Sequence, residues 1–332
     1  LRILDTASVM LGLEKLGFSS YEDMKKYENL ISKPYGIILS TGPTGHGKTT
    51  TLYSAMMRIN TIDRNIITIE DPVEYRLGLI RQIQVNPKAG ITFANGLRAM
   101  LRQDPDVIMV GEIRDLETAV IAIQAALTGH LVFSTLHTND APSSITRLIN
   151  MGIEPFLIAA SLIGVMAQRL IRTICPKCKE SYVPSKNVLE KWGLKDKPDA
   201  LFYRGKGCDY CKGTGYWGRS GIFELMIVDD EIREMIIASN STVALRKKAQ
   251  EKGMRLLSED GLNKALKGLT TIEEISRVCE GLVEFKTTPT KVEPFVKSAL
   301  PEIKISPQKV EVKPTDFDDY QKRVASWLSR KK

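Results

Sequence analysis

A glycine-rich segment near the start of the chain lies between an apolar, strand-like run and a helical pattern. Residues 42–49 read GPTGHGKT, which fits the pattern GxxxxGK(S/T). Glycines at these positions let successive backbone N–H groups turn inward around a phosphate group, and the positive end of the following helix dipole strengthens the attraction. The segment therefore predicts a strand–loop–helix unit that binds the phosphates of a nucleotide.

The side chains of this loop have different expected roles. Lys48 is expected to neutralise charge on the β- and γ-phosphates, and the hydroxyl of Thr49 is expected to bind Mg²⁺. The predicted cofactors are therefore a nucleoside triphosphate and Mg²⁺. The predicted nucleotide-binding residues are Gly42, Pro43, Thr44, Gly45, His46, Gly47, Lys48, Thr49 and Thr50.

Short apolar, β-branched runs alternate with helical patterns through the first half of the chain. Such alternation is typical of a parallel sheet with helices on both faces, so the predicted fold class is α/β. The strand-like runs are 36–40, 66–69, 107–110 and 131–134, and the helical patterns are 49–60, 93–101 and 116–127.

Four further segments are interpreted less directly. Residues 80–85 alternate weakly and suggest an extra hairpin strand. Residues 140–151 read as a helix that Asn139 or Asp140 caps, with a proline in its first turn and a glycine past its end. The apolar residues of 155–172 and of 223–282 also suggest helices.

Polar side chains follow the predicted strands at their carboxyl ends, where an open parallel sheet binds its ligands. A nucleotide-hydrolysing loop of this kind needs one carboxylate near Mg²⁺ and another that orients the attacking water. Glu112 suits the first role, and Glu74 or Glu70 suits the second. A solvated loop position is the ordinary alternative for any one of these residues.

His130 and His137 flank the 131–134 run. A histidine in such a place is often structural, and the alternative here is that both contact the γ-phosphate. We favour the second interpretation, because this strand is expected beside the nucleotide.

Four of the five cysteines form two CxxC pairs, Cys175 with Cys178 and Cys208 with Cys211. Two such pairs supply the four thiolates of a closed tetrahedral Zn²⁺ site, so we predict a structural zinc. Reduced thiols without metal are the alternative. Cys279 has no cysteine near it in sequence and is interpreted as a small buried side chain.

Composition limits the partners only broadly. The 332-residue chain has a net charge of +8 and 43% hydrophobic residues, which permits an anionic partner without selecting one. The longest apolar run, 155–167, is too short to span a bilayer.

The first residue is Leu1, so we expect a fragment with further sequence upstream. Five prolines and many lysines in 282–332 suggest a flexible tail.

Four sequence strings resemble, in order, the Walker A motif, the Asp box, the Walker B motif and the His box of the ATPases of type II secretion and type IV pilus assembly. The resemblance covers about residues 1–281 and includes the cysteine pairs, which retraction ATPases of twitching pili generally lack. The strings are GPTGHGKTTTLYSAM, IITIEDPVEY, LRAMLRQDPDVIMVGEIRDLETA and TGHLVFSTLHTNDA.

This resemblance implies a RecA-like core that works as a homohexamer in the cytoplasm, peripheral to the inner membrane through its partners. It implies ATP hydrolysis that drives assembly of pilus or pseudopilus subunits through an inner-membrane platform protein and cytoplasmic-domain proteins of the same machine. No nucleic-acid partner is expected.

The family pattern also assigns site residues. It implies that Glu74 is the catalytic carboxylate with Glu70 alongside, that Glu112 is the Walker B residue on the Mg²⁺ side, and that His137 belongs to the His box. Arg2 matches an arginine that reaches the γ-phosphate of a neighbouring subunit. His46 stands where serine is usual, and it is expected only to tune the loop.

The residue patterns and this resemblance together divide the chain into five parts. They are the end of an N-terminal domain and an opening helix (1–30), a RecA-like ATPase core (31–172), a tetracysteine zinc-binding subdomain (173–215), a helical C-terminal subdomain (216–281) and the tail (282–332).

Two other classes of function remain open. Zinc knuckles and basic charge would suit a P-loop DNA translocase, or an ATPase of a DNA-uptake pilus. The chain lacks the basic stripe interleaved with aromatic residues that is typical of single-strand binding, which weighs against translocation. A scaffold that binds ATP without hydrolysing it is a third alternative, and the intact Lys48, Thr49, Glu74 and Glu112 argue against it.

Overall fold

The computed structural model describes residues 11–195, 200–239 and 241–279. Arg2 and the tail at 282–332 lie outside the described residues. Within the described part of the chain, no helix is long and apolar enough to cross a membrane.

Seven strands form one sheet in the order β3-β2-β4-β5-β1-β6-β9, and β7 and β8 pair separately as a two-stranded antiparallel sheet. All neighbours in the large sheet are parallel except β6 and β9. The strands are β1 (Gly36–Thr41), β2 (Ile66–Glu70), β3 (Ile80–Gln84), β4 (Val107–Val110), β5 (Leu131–Leu136), β6 (Leu162–Ile174), β7 (Lys179–Tyr182), β8 (Phe202–Gly205) and β9 (Tyr216–Ile227).

Helices cover both faces of the large sheet. Along β1, Ile37 and Leu39 belong to one hydrophobic core and Ile38 to the other, because successive side chains of a strand point to opposite faces. The helices are α1 (Tyr21–Ile31), α2 (Lys48–Ile59), α3 (Phe93–Met100), α4 (Leu116–Leu127), α5 (Pro142–Asn150), α6 (Pro155–Ser161), α7 (Lys186–Lys191), α8 (Asp230–Ile237), α9 (Thr242–Glu251), α10 (Leu257–Leu266) and α11 (Ile272–Val278).

The predicted α/β fold and the alternation of strands and helices are confirmed. The four predicted strand runs lie within β1, β2, β4 and β5. Helix α5 begins as expected, since the carboxylate of Asp140 accepts the backbone N–H of Ser143 at 2.8 Å. Gly152 follows the helix with a positive φ of 94°, a conformation in which glycine is free of strain.

Three interpretations of secondary structure are wrong. Residues 80–84 form a strand parallel to β2 rather than a hairpin. The helix expected at 155–172 ends at Ser161, and β6 follows it. Apolar residues follow one another in this segment without periodicity, so the sequence does not distinguish a buried helix from a strand that is paired on both sides. Residues 223–227 belong to β9, so the helical part of the C-terminal region begins only at α8.

A buried ion pair attaches α10 to β9. Asp260 accepts the N–H of Phe223 at 2.9 Å and the ammonium of Lys264 at 2.6 Å. Lys264 also donates to the carbonyl of Gly221 at 2.6 Å. Both charged side chains are nearly inaccessible to solvent, so the pair fixes the helix to the edge strand.

Candidate nucleotide-binding and metal sites

The loop between β1 and α2 passes close to the backbone of β6. At Gly42 the φ angle is 143°, and a Cβ atom there would lie 2.4 Å from the carbonyl oxygen of Gln168. Glycine is therefore required at this position for steric reasons. Gly45 and Gly47 also have positive φ angles, 81° and 84°, as expected of a loop that turns its N–H groups inward.

Lys48, the first residue of α2, is buried within this loop. Its ammonium donates to the carbonyl oxygens of Gly42 at 2.8 Å and Pro43 at 3.1 Å. Burial lowers the pKa of Lys48, and the nearby charge of Glu112 opposes that change. The loop thus holds a cation against two of its own carbonyl oxygens, next to glycines with positive φ angles, as expected of a polyphosphate site.

Strand β6 contacts the loop through His46. The Nδ1 atom of His46 accepts the backbone N–H of Leu170 at 2.9 Å. The carbonyl oxygen of His46 accepts the side-chain amide of Gln168 at 2.7 Å. Gln168 is buried and was missed by the sequence prediction, because 155–172 was interpreted as a helix.

Glu112 and His137 meet at the carboxyl ends of β4 and β5. The Nε2 atom of His137 lies 3.3 Å from a carboxylate oxygen of Glu112. Arg114 forms an ion pair with the other oxygen, and the charge of Glu112 acts on Lys48 of the loop by opposing the fall of its pKa. These groups lie at the edge of the sheet where β1 runs into the phosphate-binding loop.

Glu70 ends β2 and is almost completely buried. Its carboxylate accepts hydrogen bonds from the hydroxyls of Tyr53 and Thr68, the latter at 2.5 Å, and from the amide of Gln82 at 3.1 Å. Burial raises the pKa of Tyr53, and Glu70 raises it further. Backbone amides of Tyr75 and Glu74 oppose this rise, so Tyr53 joins α2 to the segment that follows β2.

Glu74 itself is half-buried in that segment. Tyr53 and Gln82 were not predicted, because their roles depend on the packing of α2 and β3 against β2. In the sequence, such residues would be recognisable as polar side chains at positions where the apolar pattern of a helix or strand faces the core.

The prediction that His130 contacts a phosphate is wrong. Its Nδ1 atom lies 2.9 Å from the carbonyl of Ala125, at the end of α4. His130 precedes β5 whereas His137 follows it, so the strand separates the two by about 20 Å. His130 is therefore at the opposite edge of the sheet from the loop.

The turn after β5 is fixed by buried polar groups. The N–H of Thr138 donates to the hydroxyl of Thr41 at 2.9 Å, and its own hydroxyl lies 2.8 Å from that of Ser144. From β9, Glu224 accepts the N–H of Ala141 at 2.8 Å. Burial raises the pKa of Glu224 to about 7. Like Gln168, Glu224 was missed because its strand was interpreted as helical.

The four paired cysteines come together immediately after β6. The distances between sulfur atoms are 3.9 Å for Cys175–Cys208, 3.8 Å for Cys178–Cys211 and 3.7 Å for Cys208–Cys211. A tetrahedral zinc with bonds of about 2.3 Å requires sulfur atoms roughly 3.8 Å apart. The N–H groups of Cys208 and Gly215 also donate to the sulfur of Cys211, at 3.2 and 3.3 Å, as suits a thiolate ligand.

The residues therefore fit zinc, as the sequence predicted. Cys279 is buried, as expected. Burial raises its pKa to about 11, which keeps this thiol protonated.

The chain matches known proteins over most of its length. A family model described as "Type II/IV secretion system protein" matches residues 1–277. The "Type IV pilus assembly ATPase PilB" of Thermus thermophilus is 55% identical over 277 residues, which are 83% of this chain and 31% of that protein. The "Type II secretion system ATPase E" of Vibrio cholerae is 51% identical over 280 residues, 84% of this chain and 55% of that protein. The chain thus spans about a third of the first of these relatives and just over half of the second.

Solved structures show the same fold. The pilus retraction motor PilT with bound ADP has a TM-score of 0.62 at 30% identity, over 87% of this chain and 70% of that chain. The ATPase DotB of Legionella pneumophila has a TM-score of 0.57 at 23% identity, over 82% and 64%, a likeness of fold alone. The RecA-like fold and the resemblance inferred from the four boxes are confirmed: the chain belongs to the family of type II and type IV secretion system proteins.

Proposed function

We propose that this chain is the catalytic part of an ATPase that powers assembly of a type II secretion pseudopilus or a type IV pilus. The observation that supports this most directly is the convergence of Lys48, Glu112 and His137 at one edge of a RecA-like sheet. The named activities of the relatives agree with it.

Each site residue has its own role in the proposed hydrolysis of ATP. Lys48 and the amides of residues 42–50 bind the phosphates of ATP. Thr49 and Glu112 would hold Mg²⁺, which would withdraw charge from the β- and γ-phosphate oxygens. Glu74 orients the attacking water, and His137 holds Glu112 and contacts the γ-phosphate side of the site.

Glu70 has a positioning role in this proposal. Three donors already occupy its carboxylate oxygens, which leaves it poorly suited to accept a proton from water. Its contact with Tyr53 instead fixes the segment that contains Glu74. Arg2 would complete the site of a neighbouring subunit in a homohexamer.

The assembly and its location follow the family. We propose a homohexamer in the cytoplasm that works at the inner membrane through a platform protein and cytoplasmic-domain proteins. Residues 31–172 would be the ATPase core and 173–215 the zinc-binding subdomain, with 1–30, 216–281 and 282–332 as the flanking parts.

ATP hydrolysis, measured as phosphate release over a series of protein concentrations, tests this function. Turnover per chain should rise with concentration, because each site needs a neighbour. Lys48→Ala and Glu112→Gln should each lower turnover at least about 100-fold, since each removes a charge that the transition state requires.

Lys33→Ala removes a lysine that is exposed on the surface and should leave turnover unchanged. ATP binding without turnover at any concentration would exclude hydrolysis by this chain alone. Stimulation of turnover by DNA would instead favour the translocase alternative.

A further inference from the structure

His46 occupies an unusual place in the phosphate-binding loop, because its ring faces a strand of the sheet. Strand β1 pairs with β6 only as far as Ala167. Beyond that point β6 continues, and the loop takes the place of β1 along the edge of β6. The N–H of Leu170 then has no strand partner on this side, and Nδ1 of His46 accepts it at 2.9 Å.

A second hydrogen bond fixes the same residue. The side-chain amide of Gln168 donates to the carbonyl oxygen of His46 at 2.7 Å, and its side-chain oxygen lies 3.3 Å from the hydroxyl of Ser40 on β1. Gln168 is buried between strand and loop. Both the backbone and the ring of His46 are therefore attached to β6.

These contacts specify the protonation state of the ring. An Nδ1 atom that accepts a hydrogen bond carries no proton, so His46 is neutral with its proton on Nε2. Among the described residues, the charges that act on the pKa of the ring are cations: Arg169 on β6, Lys48 on α2 and Arg277 on α11. Burial, followed by these three cations, lowers the pKa of His46.

We propose that neutral His46 is a positioning residue that locks the phosphate-binding loop to β6, and that its protonation releases the loop and weakens nucleotide binding. The proposal rests on the nucleotide binding proposed above. It differs from a direct electrostatic role, in which a protonated ring facing the phosphates would strengthen binding.

Binding of ADP with Mg²⁺ is measured by calorimetry from about pH 8 down to about pH 4.5, because histidine ordinarily titrates between about pH 5 and 8 and the pKa of His46 lies below its ordinary value. Three proteins are compared: the unmodified chain, His46→Asn and His46→Ala. The Asn side-chain oxygen can accept the Leu170 N–H where Nδ1 does, but it does not titrate. Alanine removes the acceptor altogether.

At the upper pH, the unmodified chain and His46→Asn should bind alike, and His46→Ala should bind roughly fivefold more weakly, as expected for the loss of one hydrogen bond. Toward the lower pH, the affinity of the unmodified chain should fall to that of His46→Ala. The ratio of the ADP affinities of His46→Asn and His46→Ala should stay constant with pH, because neither variant has a histidine ring at this position to titrate.

Hydrogen exchange of the Leu170 amide, measured without nucleotide, reports the attachment by itself. It should be slower in the unmodified chain and in His46→Asn than in His46→Ala. Equal affinities and equal exchange in all three proteins would overturn the proposal, as would tighter ADP binding at low pH in the unmodified chain alone. If exchange depends on His46 but no protein binds ADP, the proposed function fails, while the attachment of the loop to β6 by His46 is supported on its own.

Discussion

At the scale of single residues, two glutamates that follow the same strand have different surroundings. Glu70 is buried and accepts hydrogen bonds from Tyr53, Thr68 and Gln82. Glu74, four residues later, is half-buried. The sequence presents both as acidic residues after a strand, and only the packing of α2 and β3 separates a positioning residue from a candidate catalytic base.

Glu224 leads to a prediction about pH. Its pKa is about 7 in the folded chain, against an ordinary value of about 4.5. Between these values the folded state binds more protons than the unfolded state, so this group makes the free energy of unfolding fall as the pH rises. Glu224→Gln should abolish that contribution while keeping an acceptor for the Ala141 N–H.

Urea unfolding at several pH values measures the effect. Above pH 7, Glu224→Gln should be more stable than the unmodified chain by about 3 kcal/mol, and below about pH 4.5 the two should be equal. Glu14→Gln changes an exposed carboxylate and should show no such difference. A constant offset between Glu224→Gln and the unmodified chain at every pH would contradict the assigned titration.

At the scale of helices and strands, the sequence correctly predicted the features that are formed by residues close together in the chain. The strand β1, the glycine loop and the start of α2 are adjacent in sequence, so the local sequence motif indicated the phosphate site. The cysteine pairs were predicted for the same reason, since CxxC spacing is a local constraint. The prediction failed where pairing is long-range: β6 and β9 are antiparallel neighbours separated in sequence by the cysteine segment.

Two site residues were missed for that reason. Gln168 and Glu224 lie on β6 and β9, and their contacts to the loop and to the turn after β5 exist only once these strands have joined the sheet. His130 illustrates the opposite error. Proximity in sequence to β5 suggested a place in the site, and the direction of the strand excludes it.

The attachment of α10 to β9 can be tested at this scale. Lys264→Met leaves the buried carboxylate of Asp260 without its counter-ion, and loss of one partner of a buried ion pair typically costs about 3–5 kcal/mol. The free energy of unfolding from urea titration should fall by about that amount. The double variant Asp260→Asn, Lys264→Met should recover part of the loss, because it leaves no unpaired charge.

Lys247→Met makes the same replacement at an exposed position of α9 and should change stability by less than about 0.5 kcal/mol. A Lys264→Met protein as stable as the Lys247→Met control would show that the ion pair does not hold the helix.

At the scale of the whole molecule, β6 joins the two sites. Its middle residues hold the phosphate-binding loop through His46, and its last residue, Ile174, directly precedes the ligand Cys175. The strand is paired with β1 on one side and with β9 on the other, so it is a rigid connection. The second cysteine pair is separated from the start of β9 only by residues 212–215, and a metal bound to both pairs would therefore clamp the ends of two sheet strands.

This arrangement predicts how removal of the metal affects the molecule. The purified chain should contain about one zinc, and Cys178→Ser should lose it, because a closed structural site needs all four thiolates. The melting temperature should fall by several degrees, and amide exchange should accelerate most in 175–215 and at the adjoining ends of β6 and β9. Cys279→Ala changes a buried cysteine outside the cluster and should retain the zinc. Full metal content in Cys178→Ser, or unchanged exchange after its loss, would contradict a clamp made of these four sulfurs.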